Sequence, residues 1–143
     1  MSNTLFMSGR QGFLDGTIDF DTDTIKIVFI SRGAGGTNGY NAVTDITFLT
    51  QIPDSGRLRM SETALGGKTV ASGIADAFDH TASAVSAVAN SAIGAIVLYQ
   101  DTGSPSTDRL IGWIDTGTGI PASPNGGDIT IQWSSGASRI FQL

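Results

Sequence analysis

Short bursts of apolar, β-branched and aromatic residues, separated by turn formers, run along most of the chain. Three of them follow one another: 93–99 (IGAIVLY), 110–114 (LIGWI) and 129–133 (ITIQW). They predict three successive strands of one antiparallel sheet. Residues 24–30 (TIKIVFI) predict a further strand. From Arg57 the pattern has period two, with Leu58 and Met60 on one side and Arg57, Arg59 and Ser61 on the other, as on a half-buried strand. Gly66 and Gly67 then turn the chain into two short strands, 68–72 and 74–80, separated by Gly73, with Val70, Ile74 and Phe78 expected to point inward. The closing segment 137–143 (ASRIFQL) is expected to pair back onto 129–133 across a tight Ser134-Ser135-Gly136 turn.

Helical spacing is confined to the beginning. Over residues 4–14, Leu5, Phe6, Phe13 and Leu14 form one apolar stripe, and Asn3 or Thr4 can cap the first turn. Gly9 and Gly12 lie inside it, each costing about 1 kcal/mol against Ala, so this helix should depend on docking. Residues 31–41 (SRGAGGTNGYN) predict a loop around Tyr40, where that ring is an anchor on the domain's own surface or a contact for a partner. Residues 44–52 predict a short helix or turn ended by Pro53, and 81–92 (TASAVSAVANSA) fit neither period. About seven or eight short strands with regular turn signals are the mark of a mainly β protein. The expected fold is an antiparallel β-sandwich or jelly-roll-like domain with a short N-terminal α-helix. One domain should span 1–143, with the helix in 1–15 and the sheet region in 24–143.

Composition narrows the function. Lys+Arg 8 against Asp+Glu 13 gives a net charge of −5, and the basic residues are scattered, which argues against a nucleic-acid partner. Only 15% of residues are charged, against about 25% in typical domains. A surface rich in Ser, Thr, Gly and Ala suits close packing on other protein, and equally a plain secreted β protein. With no cysteine, disulfides, thiolate nucleophiles and cysteine zinc sites all fall away. The opening residues lack the charged and apolar regions of a secretory signal, and the longest apolar run, 95–99, is far short of the roughly 20 residues of a membrane helix. The expectation is a soluble protein with no membrane partner.

Candidate chemistry is thin. Asp15, Asp19, Asp21 and Asp23 form the one acidic cluster, but a calcium loop starting at Asp19 needs Gly at its sixth position and Glu at its twelfth, where Thr24 and Ile30 stand. A solvated acidic turn is expected. Gly67-Lys68-Thr69 has the end of a phosphate loop without its beginning, since Glu62 stands where the earlier glycine belongs. His80 is the single histidine, in a context (FDHTAS) with no nucleophile elbow, and is expected as a surface or edge-strand imidazole. Trp113, Trp133, Tyr99 and Phe141 are expected mainly as core, with an aromatic platform for a sugar as the alternative. No enzyme, cofactor or metal is expected.

The runs 95–103 (AIVLYQDTG), 108–119 (DRLIGWIDTGTG) and 124–133 (PNGGDITIQW), closed by SRIFQL, carry a family resemblance, and FLDGTIDFDTDTIKIVFI and LGGKTVASGIADA fit it too. Together they resemble small virion structural proteins of tailed bacteriophages, of the capsid cement or decoration type. The resemblance implies a β-sandwich or jelly-roll clamp on the outer surface of the head, with the major capsid protein as partner and no catalytic role. Symmetric shells favour a homo-oligomer, dimer or trimer. The alternative within the virion is a tail or fibre-associated protein whose aromatic surface meets a host glycan. On the cement reading, the partner-facing positions we expect are Leu5, Phe6 and Phe13 on the helix, Arg32 and Tyr40 in the glycine-rich loop, and Arg57 and Arg59.

Overall fold

Residues 3–31, 46–53, 57–60, 64–87, 92–137 and 139–143 are described by the computed structural model. In chain order the elements are β1 Thr4–Leu5, α1 Met7–Asp15, β2 Ile25–Ser31, a 3-10 turn Leu49–Gln51, β3 Arg57–Met60, β4 Thr69–Ala71, β5 Ile74–Asp76, β6 His80–Ala82, β7 Ile93–Gln100, β8 Arg109–Ile114, β9 Ile129–Ile131 and β10 Phe141–Gln142. Strands in antiparallel sheets dominate, with one short N-terminal helix, as the patterning predicts.

Five strands in the order β1-β8-β7-β2-β3 make the central sheet. Its middle strands are apolar at nearly every position because both faces are buried, which removes the usual alternation of apolar and polar residues. Ile25, Ile27 and Phe29 of β2 join Ile96 and Leu98 of β7 in one core. Val28, Ile30, Ala95, Val97, Tyr99, Leu110 and Trp113 fill the other. The first core is closed by the two smaller sheets, β10-β5-β4 and β6-β9, through Ala75, Ala82 and Ile131, giving a sandwich-like layering. The second is closed by Phe6, Leu49 and Ile52.

Between β7 and β8 the register shifts at Leu98/Tyr99, where Leu98 faces Gly112 and Tyr99 faces Leu110. Ile111 is therefore the extra residue of a β-bulge. Helix α1 docks on that bulge. The Phe6 N–H donates to the Ile111 carbonyl at 2.9 Å, and Ser8 Oγ donates to the Leu110 carbonyl at 2.8 Å. A Cβ on Gly9 would fall 2.6 Å from the Ile111 oxygen, so only glycine allows this approach.

Several expectations are corrected. The helix begins at Met7, since Thr4 and Leu5 pair with Trp113 and Gly112 and Phe6 occupies the N-cap without a side-chain cap. Asn3 does not cap it. Its Oδ1 accepts from the Asp115 and Thr116 N–H groups at 3.0 and 2.9 Å, and its Nδ2 donates to the Thr116 carbonyl, tying the segment to the end of β8. The buried helix face is Ser8, Gly9 and Gly12 rather than the apolar stripe, and Leu14 is 86% exposed.

The third of the three successive strands leaves the central sheet. After β8 the chain bridges at Ala122 to Ile93 and enters the other layer, where β9 pairs with β6. The closing segment pairs through β10 with β5 instead of with 129–133. The run 74–80 divides into β5 and β6, which belong to different sheets. Ala75 and His80 are its buried positions, while Val70 and Phe78 are 51% and 72% exposed and Ile74 is half-buried. Within the expected 44–52 helix or turn, the 3-10 turn is held by Gln51, whose Oε1 accepts from the Thr47 and Phe48 N–H groups.

Candidate interaction site

The seven expected partner-facing residues do not gather on one surface. Phe6 is fully buried in the second core, because its position at the helix start points it under the sheet. Leu5 and Phe13 are half-buried against the first core, and each also lines a groove. Arg57 is half-buried on β3, opposite Ile30, and the Arg59 backbone pairs with Phe29. Arg32 and Tyr40 lie outside the described residues.

What the fold does assemble is a pair of adjoining grooves around β10. The first, of about 770 Å³, runs between α1, β1 and β10, with Leu5, Leu14, Ile114 and Ile140 among its walls. Its charged residues are Arg10 and Arg139. The second, of about 440 Å³, lies between the end of α1 and β4, with Phe13, Ile18, Phe20 and Val70 in its walls. Its charged residues are Asp19 and Asp21. Phe141 and Leu143 line both grooves, so β10 forms the ridge between them. Phe141 is held there by ring contacts to Phe13 at 5.5 Å and, edge-on, to Phe20 at 5.4 Å.

The electrostatics of the two rims differ in kind. Arg139 forms a loose ion pair with Asp76 at 3.6 Å, while Arg10 is exposed on the helix one turn before Leu14. On the acidic side, Asp15 accepts from the Thr17 N–H and hydroxyl and from Gln11, which holds its carboxyl below the usual range. Asp19 and Asp21 hydrogen-bond to each other, so Asp21 is raised by its neighbour and Asp19 is lowered. Asp23 accepts from the Asp19 N–H and from Gln100, and Lys68 donates to its carbonyl. The acidic turn thus binds itself, and no cluster of three or more metal-ligating side chains forms among the described residues.

The other singled-out residues are absorbed by the fold. Trp113 and Tyr99 are in the second core, where burial raises the Tyr99 phenol far above its ordinary range. Trp133 is half-buried, its Nε1 donating to the Phe78 carbonyl and its N–H to Asp79. The four aromatics therefore share no platform. His80 stands on the edge strand β6 but is buried there, and burial lowers its pKa. Lys68 follows the Gly67 turn, whose φ of +60° needs glycine.

Sequence reasoning missed Leu14, Val70 and Leu143 as exposed apolar residues. One signal was present: Arg10 and Leu14 are four apart, hence on one helix face, and the glycines mark the opposite face as the docked one. Chemically the site can hold an apolar surface and discriminate by charge at either rim. A scan of the chain against protein-family models finds no match, and a search of curated proteins returns no significant match.

Proposed function

We propose that this protein acts by contact, as a structural component of a tailed-bacteriophage particle that binds the outer surface of the head and stabilises neighbouring major capsid subunits. The family resemblance supplies the identity of the particle. The observation that carries the contact role is the placement of Leu14, Val70 and Leu143 in solvent around the two grooves, on a protein whose central sheet is buried on both faces. Exposed apolar residues grouped around grooves mark interaction sites more often than chemistry. A clip of this kind adds binding free energy only in the assembled shell, where several weak contacts act together.

The test is to locate the protein on intact particles by antibody labelling and electron microscopy, then to heat particles with and without it. Label over the head, with depleted heads losing DNA at lower temperature, is the expected result. Label confined to the tail, or unchanged melting of depleted heads, overturns the reading.

A further inference from the structure

The geometry points to a self-association surface: we propose that two copies of this chain pair about a two-fold axis along the Phe141–Leu143 ridge, each placing its basic-rimmed groove on the other's acidic-rimmed groove. The pairing rests on the two grooves and stands whether or not the particle is a phage head.

An isologous dimer requires a surface complementary to itself. This one has that property in its charges, across a shared ridge. Phe141 and Leu143 belong to both grooves, so a rotation about the ridge carries one groove onto the place of the other. The charged residues lining one groove are Arg10 and Arg139, and those lining the other are Asp19 and Asp21. Two-fold pairing therefore opposes unlike charges twice, whereas a parallel arrangement would oppose like charges. Leu143 on the ridge and Leu14 in the basic-rimmed groove, 61% and 86% exposed, are then the apolar part of the contact, with the charges as rim.

The charges are also available for this use. The ion pairs among the described residues are Lys26–Asp101 and Arg139–Asp76, which leaves Arg10 without an acidic partner among the described residues. Asp15, the acidic residue of the same helix, is turned back onto Gln11 and Thr17. Asp19 and Asp21 hold two carboxyls side by side, an arrangement that an arriving guanidinium relieves. A second copy supplies one through Arg10.

The experiment is sedimentation equilibrium of the purified full chain over micromolar concentrations, with circular dichroism to check folding. Wild type should be a monomer–dimer system that weakens as salt rises. Leu14→Glu should be monomeric and as well folded as wild type. Arg10→Glu and Asp21→Lys should each weaken dimerisation about tenfold. An equimolar mixture of those two variants should dimerise more tightly than either variant by itself, because their hetero-pair restores unlike charges at both rims. A wild type that stays monomeric, a trimer, a dimer that survives Leu14→Glu, or a mixture no tighter than its components each overturns the proposal.

Discussion

The central sheet and the two smaller sheets are made from the same kinds of residue and put them to opposite use. In the centre, β2, β7 and β8 are six to eight residues long, and Trp113, Tyr99 and Phe29 are removed from water. In the outer layer the strands are two or three residues long, and Val70, Phe78 and Leu143 face solvent. Burial is concentrated in the first region and exposed apolar surface in the second. A residue's type says little about its energetic weight until its layer is known.

The sharpest way to break this contrast is to truncate a large aromatic of the centre. Trp113→Ala should destabilise by about 4 kcal/mol, through lost burial and the cavity left between Phe6, Leu110 and their neighbours. Chemical denaturation measures it, and a loss under about 1 kcal/mol would mean that the second core is not the stable one. Next in size is Gly9→Ala, at about 2 kcal/mol, because the new Cβ meets the Ile111 backbone, which cannot swing aside. Gly12→Ala should cost less, since the side chain of Ile18 can rotate away. Equal losses would show that the helix is seated differently on the bulge.

A smaller effect separates the layers by pH. His80, on β6, has its folded pKa lowered from 6.5 by burial. The unfolded chain therefore takes up that proton first as pH falls, and stability should decline from about pH 6.5 downward. Asp101, lowered chiefly by its 2.6 Å ion pair with Lys26, contributes stability that is lost only as pH falls below 3.8. Denaturation midpoints for wild type and His80→Gln across this range should differ in slope above pH 4. Parallel curves would remove His80 from the account. The smallest change is Val70→Ser, expected within about 0.5 kcal/mol of wild type. A larger loss would place β4 among the stabilising elements.

How much of this was legible in the sequence follows the same division. The strands β2, β7 and β8 could be read because burial on both faces leaves long apolar runs that local turns delimit. The pairing of β7 with β8 could be read too, since they are neighbours in sequence, whereas that of β2 with β7 could not. The partners of β9 and β10 could not, because strands this short carry no register information and Ala122 sends the chain across layers. The helix misled for a different reason. Its docked face is made of Ser8, Gly9 and Gly12, which carry no apolar signal, while the apolar stripe divides into buried Phe6, half-buried Leu5 and Phe13, and exposed Leu14. The grooves were illegible as a site because Arg10, Asp19, Phe141 and Leu143 meet only when β10 pairs with β5.

The latch that seals β8 also sets a schedule for the chain's birth. Asn3 waits for Thr116, 113 residues later, and Phe6 waits for Ile111. At about 5–20 residues per second on the ribosome, the N-terminal segment is out for roughly 5–20 s before its seat exists. During that time Phe6, which ends with no exposed surface, has no native neighbour from β8 to cover it. Soluble yield in the producing cell should thus depend on translation speed and on chaperones that tolerate an early exposed aromatic, and the finished protein's stability will not report on either.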